Sequence, residues 1–282
     1  MTVTFSSSRI VGLLGWATLA GLPALGLADS PTESPASPHT ITANAGVVSN
    51  YVFRGMTQTW NKPAIQGGVD YAHADGWYAG LWASSLSDKQ YADGWAEVDL
   101  YGGFNGKFNA DWSWTLGVIG YLYPSANYDG ITPPGPNQTY NTVEANAGIG
   151  YKWISMKASV TLTDAYGYNE GTGYQSDTKG SSYWDLTANV PLPEEVFTKE
   201  VTLPLHVGRT HYTSDLASGR DPDYTDYKIG LSKTFDGGWN LGAAYTYADN
   251  RSVYDKYPSA NDATDTADLG GGKVVFSLTK TF

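Results

Sequence analysis

Ionisable side chains recur at every second position within several apolar stretches of this sequence. Glu97 and Asp99, for example, flank Val98 and are followed by Leu100. In a β-strand this spacing places both carboxylates on one face and the apolar residues on the other. Charged groups on such a face could guide ions along a water-filled path, or they could pair with one another and fill it. The candidate residues of this kind are Arg54, Asp70, Glu97, Asp99, Glu144, Lys152, Lys157, Asp185, Asp226 and Lys228.

Histidines are the first candidates for catalytic chemistry, and the chain has four of them: His39, His73, His206 and His211. Hydrolases and acyltransferases built on barrels combine Ser, His and an acidic or amide residue. His206 falls on the polar face of its segment, but no nearby serine has a recognisable nucleophile motif. We therefore expect His206 to be a polar residue of an interior surface and the protein not to be an enzyme, with a lipid hydrolase or acyltransferase as the least favoured alternative.

Cofactor and metal chemistry finds little support in the sequence. No metal-ligand spacing and no phosphate-binding loop is present, so we expect no cofactor and no metal site. Asp262, Asp265 and Asp268 are spaced by three residues and could attract Ca²⁺, but the EF-hand pattern is absent and a solvated acidic loop is the favoured interpretation. The formal net charge is −11, and nucleic acid is not expected as a partner.

The last twelve residues, 271–282, indicate which kind of element positions the charged side chains. Apolar residues occupy the even positions from Val274 to Phe282, apart from Lys280, and most odd positions are polar. A period-two pattern of about ten to twelve residues suits a tilted strand that crosses a bilayer. The terminal Phe282 resembles the C-terminal signal by which barrels are recognised for insertion. Lys280 departs from that signal and could snorkel to the periplasmic interface. Taken alone, the segment is equally compatible with an edge strand of a soluble β-sandwich.

The same alternation predicts about twelve antiparallel strands, the even number that bacterial barrels need. They cover residues 41–54, 64–71, 77–86, 95–104, 111–123, 142–153, 155–163, 182–190, 200–212, 224–235, 239–248 and 271–282. Short connections (73–76, 105–110 and 236–238) alternate with long ones (124–141, 164–181 and 249–270), and 191–199 is the exception among the short set. An all-β, antiparallel transmembrane β-barrel with short periplasmic turns and long extracellular loops has this asymmetry, whereas a soluble sandwich has no reason for it.

The alternation also predicts which side chains face the lipid. We expect Val47, Val98, Ile149, Ala243 and Phe276 to face it, together with Tyr51 and Phe53 near the end of the first strand. Inward glycines are expected to leave space in the lumen: Gly68, Gly103, Gly148, Gly150 and Gly230. About twelve strands enclose only a modest lumen. Whether the inward charges line an open path or pair and plug the barrel is left open by the sequence.

The N-terminus divides the chain into three parts. Residues 1–28 contain one charged side chain, Arg9, followed by an apolar run that ends on Gly26-Leu27-Ala28, which predicts a signal peptide. A transmembrane anchor is the alternative. Residues 29–40 are rich in Pro and Ser and predict a flexible lead-in, and residues 41–282 form the barrel. Tyr (21) and Trp (10) outnumber Phe (8), which favours a membrane interface.

Several segments carry a family resemblance. Residues 49–58 (SNYVFRGMTQ) and 63–71 (PAIQGGVDY) are followed by related stretches at 76–84, 97–103 and 116–124. In this order they resemble a proteobacterial family of small outer-membrane proteins assigned as porins and labelled TorF. Beyond Pro124 the likeness is one of general barrel character. The resemblance implies an outer-membrane pore, but it brings no established substrate and no catalytic residues.

These observations together predict an outer-membrane porin or channel for passive diffusion of small solutes or ions. A weak preference for cations is expected, because six of the ten inward candidates are acidic and four are basic. The expected partners are outer-membrane lipid, small solutes and the barrel-assembly machinery, which would recognise the strand that ends in Phe282. A structural or adhesin-type barrel acting through its loops is the alternative. The sequence does not predict the permeant solute or the oligomeric state.

Overall fold

Twelve long strands make up most of the computed structural model, which describes residues 37–197 and 199–282. The predicted signal peptide and all but the last four residues of the predicted lead-in therefore lie outside the described residues. The strands are β1 (His39–Val48), β2 (Ala64–His73), β3 (Trp77–Ser85), β4 (Ala96–Lys107), β5 (Trp112–Leu122), β6 (Thr142–Tyr151), β7 (Ile154–Thr161), β8 (Ser182–Pro191), β9 (Val201–His211), β10 (Tyr224–Phe235), β11 (Trp239–Ala248) and β12 (Lys273–Thr281).

Antiparallel pairing of neighbouring strands closes the sheet into a barrel. The closing seam joins β1 to β12, with Asn44 opposite Thr281 and Val48 opposite Ser277. Phe282 extends this seam, because its N–H donates to the carbonyl of Ala43 at 2.8 Å. Every barrel strand has two neighbours, so no strand edge is left unpaired. The predicted all-β, twelve-stranded antiparallel barrel is confirmed.

The two faces of each strand differ as the alternation predicts. Val47, Ile149 and Phe276 are 49%, 43% and 58% exposed on the outer surface. Val98 lies on the same surface as Leu100, whereas Glu97 and Asp99 are fully buried inside. Ala243 likewise alternates with the buried Ala244. Most of the outer surface is thus apolar, while the backbone groups are paired within the sheet, an arrangement that suits the hydrocarbon interior of a membrane.

The connections alternate in length around the barrel. Two to four residues join strands at one end, apart from the 192–200 connection, and ten or more join them at the other. Outward aromatic side chains form a row near the short turns, where Trp77 packs on Phe104 and Trp112 on Tyr151. Such rows mark the interface between lipid and water in membrane barrels. Lys280 belongs to this end: its Nζ donates to the carbonyl of Gly237.

Two parts of the predicted strand pattern are wrong. The first strand ends at Val48, not at Arg54, so Tyr51 and Phe53 do not face outward but are buried inside the barrel, 2% and 6% exposed. The 249–270 connection, expected to be a solvated acidic loop, is also partly ordered into secondary structure. It contains a short helix, α1 (Arg251–Tyr254), and a two-stranded ladder in which Tyr257–Pro258 pairs with Thr266–Ala267. No helix among the described residues is both long and apolar enough to cross a membrane.

The outward face of β12 gives a test of the register. Phe276 lies near the middle of the strand, so Phe276→Arg places a charge in the hydrocarbon region and should lower the free energy of unfolding by about 2–4 kcal/mol. Urea unfolding of the barrel in lipid bilayers measures this. Phe276→Leu keeps an apolar side chain and serves as the control. An Arg variant as stable as the Leu variant would contradict the outward assignment.

The seam gives a second test. Deleting Phe282 removes the last backbone pairs between β12 and β1 and should lower the yield of assembled, heat-modifiable barrel in the cell. The matched control deletes Ala263, an exposed residue in the connection between β11 and β12. Equal yields of the two deletion variants on unheated gels would show that the terminal residue is dispensable for closure.

Candidate functional site

A hairpin from the connection between β1 and β2 enters the barrel. Val52–Phe53 pairs with Met56–Thr57, and the turn between them is Arg54-Gly55. Both turn residues have positive φ, +46° and +77°. Gly55 is required here, because a Cβ would collide with the side chains of Asp226 and Ala248 on the barrel wall. The turn is therefore pressed directly against β10 and β11.

Aromatic packing holds the hairpin inside. The Tyr51 ring lies 5.5 Å from that of Trp82 on β3, and the Phe53 ring lies 5.6 Å from that of Tyr121 on β5. Thr57 is fully buried at the base, and its hydroxyl donates to the Asn50 side chain at 2.6 Å. The alternating aromatic residues would also suit a lipid-facing strand, but here they pack the hairpin inside the barrel, where it acts as a plug.

A buried ion pair fixes the tip of the hairpin. The Arg54 guanidinium donates two hydrogen bonds to the Glu144 carboxylate on β6, at 2.9 and 2.7 Å. Both side chains are almost fully buried, and the guanidinium also lies 4.2 Å from the ring centre of Tyr183 on β8. Tyr121 adds a third donor to Glu144 at 3.3 Å. Arg54 therefore contacts two strands of one side of the barrel wall, β6 and β8, which are separated by β7.

Acidic residues dominate one wall. Glu97 and Asp99 point inward from β4 and are fully buried, and the Tyr123 hydroxyl donates to Glu97 Oε1 at 3.2 Å. Further along the same wall, the Tyr101 hydroxyl donates to Asp70 on β2. This wall carries no basic side chain among the sequence candidates that the structure describes.

The other wall carries both signs of charge around His206. Its Nε2 is 2.9 Å from Asp226 Oδ1 and 3.0 Å from the Tyr183 hydroxyl, and its Nδ1 is 3.0 Å from the Thr187 hydroxyl and 3.4 Å from Asp185 Oδ2. Lys157 and Lys228 point inward beside these groups from β7 and β10. The wall is thus a polar network with acids and bases interleaved.

A cavity of about 70 Å³ lies between this network and the hairpin, enough for several water molecules. Its polar lining includes Arg54, Asp185, Asp226 and Lys228. The lumen then widens toward the short turns. On β7, Thr161 and Ser159 are buried, Lys157 is half-buried and Ser155 is exposed. The interior is therefore filled in its loop-side half and open to solvent in its turn-side half.

Tyrosines close the loop-side end. Rings stack in the pairs Tyr91–Tyr123, Tyr128–Tyr140 and Tyr168–Tyr174, with centroids 4.8, 4.1 and 4.7 Å apart. We call these six residues the tyrosine cap. Burial raises the pKa of the Tyr128 and Tyr168 phenols well above the ordinary value, so they stay uncharged. The cap is a packed, neutral lid contributed by several connections.

The acidic loop residues are engaged in pairs and turns. Asp265 pairs with Lys89, and Asp268 pairs with Arg251 at the start of α1. Partial burial raises the pKa of the Asp268 carboxyl, but hydrogen bonds from Arg251 and the Gly271 N–H outweigh it and hold the pKa below its ordinary value. Asp262 accepts from the Thr264 N–H at 2.9 Å. Within residues 37–197 and 199–282, no group of three or more His, Cys, Asp or Glu side chains is arranged to hold a metal ion.

Nine of the ten charged residues singled out in the sequence point into the barrel. Lys152 is the exception and its inward assignment is wrong: it lies in the two-residue turn between β6 and β7, with φ +51°, and its exposed ammonium is 3.9 Å from Asp111. The inward set therefore holds six acidic and three basic residues.

The inward glycines also leave less space than expected. A Cβ at Gly103 would meet the Tyr78 hydroxyl, and one at Gly230 would meet Ala244.

Several interior residues were not identified from the sequence. Tyr121, Tyr123 and Tyr183 supply the hydroxyl donors to the buried carboxylates, and Thr187 contacts His206. The sequence signal for these residues was their position in the period-two alternation, which places them on the same face as the inward charged residues. The Thr187–His206–Asp226 contacts imitate a nucleophile, base and acid, but the Thr187 hydroxyl also donates to Asp185 at 2.8 Å. The strands that carry these three residues are paired with one another in the barrel ladder.

No curated protein sequence matches this chain. Among solved structures, the porin NanC is similar at 10% identity and TM-score 0.49 over 86% of this chain and 99% of the other. The porin KdgM, described in complex with disordered oligogalacturonate, is similar at 9% identity and TM-score 0.46 over 86% and 97%. OprD from Pseudomonas aeruginosa gives 14% identity and TM-score 0.36 over 86% and 64%. A family model does cover residues 32–282, and the chain therefore belongs to Gcw_chp, a family of bacterial proteins of unknown function.

Proposed function

We propose that this protein is a porin-type channel of the bacterial outer membrane through which small solutes or ions diffuse passively. The observation that carries the proposal is the interior: inward charged residues line a cavity large enough for water beside a hairpin that narrows the lumen. A purely structural barrel has no need for ionisable groups at membrane depth, where they are costly and usually mark a water-filled path. The apolar outer surface and the closed seam support a position in the membrane.

The constriction lies at the hairpin tip. Arg54 lies inside the lumen against Glu144 and the Tyr183 ring, so solutes pass beside this group. The cavity next to it is small, which favours ions and small solutes over large ones. The wider turn-side half acts as a vestibule on the periplasmic side. Passage to the outside requires the tyrosine cap and the hairpin to shift.

A weak preference for cations is part of the proposal. Six inward acidic residues face three inward basic ones, and a low-dielectric wall strengthens the field of this excess. Several of the charges are paired, including Arg54 with Glu144, so the excess is modest. Salt should screen much of it, and the preference should fade as ionic strength rises.

Export and assembly complete the proposal. A signal peptide over residues 1–28 would direct the chain to the periplasm. The barrel-assembly machinery would then recognise β12 and its terminal Phe282. The resemblance of residues 49–58 and 63–71 to TorF-type porins supports a pore of this kind. These residues include the inserted hairpin, in the connection between β1 and β2, that narrows the lumen.

A structural or adhesin-type role through the loops is the second candidate. The observation that favours it is the tyrosine cap, whose buried, stacked rings order the connections that form the outer surface at this end. An adhesin would present such a surface without conducting. Planar-bilayer recordings separate the two, because only a channel produces discrete conductance steps.

The hairpin tip provides a test of the constriction. Replacing the ion pair by neutral groups, Arg54→Met with Glu144→Gln, should loosen the plug and raise single-channel conductance severalfold. Both members are changed together because a lone buried charge would destabilise the barrel. The control is Lys152→Met, which removes a basic residue whose side chain is 50% exposed in the turn between β6 and β7. Unchanged conductance in the double variant would place the narrowest point elsewhere.

Selectivity provides a test of the charge excess. In a KCl gradient at low ionic strength, the reversal potential should have the sign of cation preference and should shrink as salt rises. Asp185→Asn should weaken it, because Asp185 lines the cavity. Asp75→Asn is the control, since that side chain is 78% exposed in the turn between β2 and β3. Anion selectivity at low salt would show that the basic residues dominate the constriction.

A further inference from the structure

The outward face of β9 carries two basic side chains at its loop-side end. Arg209 and His211 alternate there with inward residues, and their side chains are 49% and 58% exposed. Across the twelve described strands, the outward positions of the loop-side half hold no other acidic or basic side chain, while Lys233 and Lys280 lie on the outward face near the short turns. Charges on the lipid face of a barrel are costly unless they reach the interface. This pair therefore marks one place where the rim of the barrel meets polar head groups.

One nearly buried carboxylate holds the two basic groups in place. Asp223 Oδ2 lies 3.2 Å from Arg209 Nη2 and 2.7 Å from His211 Nδ1, and Oδ1 accepts from the Tyr212 N–H at 2.7 Å. Arg209 Nη1 also donates to the Thr225 hydroxyl at 3.3 Å. A guanidinium has five N–H groups, so these two bonds leave three of them for a ligand. The basic groups are thus oriented from the barrel side, and their outer sides face the surroundings.

An apolar groove of about 320 Å³ lies on the outer surface next to this basic pair. Val207 is two positions from Arg209 on the same face of β9, and it stands opposite Leu186 on β8 and Tyr227 on β10. These three residues form the end of the groove nearest Arg209. The other outward residues that line it are Ala188, Leu205, Ile229 and Tyr245. Ligand sites in proteins enclose about 300–1,000 Å³, so the groove is large enough for part of a ligand.

The groove and the basic pair select one kind of occupant. The groove lies in the apolar band of the outer face, where hydrocarbon chains surround the barrel. Arg209 is four residues beyond Leu205, about 13 Å along an extended strand, and Trp184 directly opposite it is 49% exposed, as expected for an interfacial aromatic residue. A guanidinium at head-group level binds phosphate through paired hydrogen bonds. An occupant that satisfies both parts therefore carries a phosphate and an acyl chain.

We propose that Arg209, His211 and this groove bind a phosphorylated glycolipid of the outer leaflet, with a phosphate on the guanidinium and one acyl chain in the groove. The identification rests on the proposed outer-membrane position, in which the loop-side end meets the outer leaflet. The lipid of that leaflet is built on lipid A, a phosphorylated sugar with several acyl chains. The site lies outside the lumen and goes beyond the proposed channel. A bound lipid covers the part of the wall that carries the His206 network on its inner face.

The test uses the full-length barrel, folded in detergent without lipopolysaccharide and then titrated with purified diphosphorylated lipid A. Native mass spectrometry should show one bound lipid A per barrel, and the thermal unfolding midpoint should rise with its concentration, because a ligand of the folded state stabilises it. Lipid A stripped of its phosphates should bind about tenfold more weakly, since charge-assisted hydrogen bonds are lost. Phosphatidylglycerol should also bind more weakly, because it has fewer acyl chains to lay on the apolar face.

Variants separate the head-group contact from the groove. Arg209→Gln removes the charge and should weaken lipid A binding about tenfold. Arg209→Lys keeps the charge without the paired geometry and should give an intermediate affinity. Ala188→Trp fills the groove from its outward position and should weaken binding while Arg209 stays in place. Heat-modifiability on gels shows whether each variant forms the barrel, and Ala188→Trp carries the test if the Arg209 variants do not fold.

The control is Lys233→Gln, which removes an outward lysine near the opposite end of β10 and should keep lipid A binding. The proposal is overturned if lipid A does not bind, or if its dephosphorylated form or phosphatidylglycerol binds equally well. It is also overturned if Lys233→Gln loses as much affinity as Arg209→Gln. Because binding is measured without any flow, a barrel that binds lipid A but never conducts removes the channel and leaves this inference standing, and a conducting barrel that ignores lipid A does the reverse.

Discussion

The ion pair between Arg54 and Glu144 is the constraint on which the interior depends. A buried guanidinium cannot give up its proton, so it must have a carboxylate partner wherever the hairpin tip comes to rest. Glu144 is that partner and also accepts from Tyr121, and this pairing fixes the depth of the hairpin in the lumen. Removing either member alone would leave an unpaired charge in a dry environment. The pair thus specifies one position for the plug, whatever its net contribution to stability.

The barrel wall creates the conditions for this pairing. Because most of the outer face is apolar, most polar residues of the strands are directed inward, where room is limited. Tyrosine resolves the crowding, since its ring packs against apolar neighbours while its hydroxyl reaches a carboxylate. Tyr121 and Tyr123 do this at the end of β5, and Tyr183 does it from β8. The high tyrosine content of the chain therefore serves the interior as well as the membrane interface.

The strands were predictable where the alternation was bounded by turn residues. β11 follows Asp236-Gly237-Gly238, and its predicted range matches the observed one. The pattern failed at Tyr51 and Phe53, because period-two alternation continued past the true end of β1. An aromatic residue that faces lipid and one that faces an aromatic inner wall give the same pattern. The failure at Lys152 has a similar origin: the turn there has no Gly, Pro or Asn to interrupt the parity.

Contacts between segments distant in the chain could not be predicted from the sequence. Nothing in the spacing of Arg54 and Glu144 indicates that residues 90 positions apart form a bidentate pair. Their meeting depends on the hairpin turning inward, which in turn depends on Gly55 fitting against Asp226 and Ala248. The close fit of Gly55 thus determines which part of the inner wall the neighbouring Arg54 can reach. A lumen filled by such a hairpin differs from one filled by strand side chains, because the hairpin pairs with itself and takes no part in the hydrogen-bonded wall. The loop end of the barrel is therefore closed by a segment that is separate from its wall.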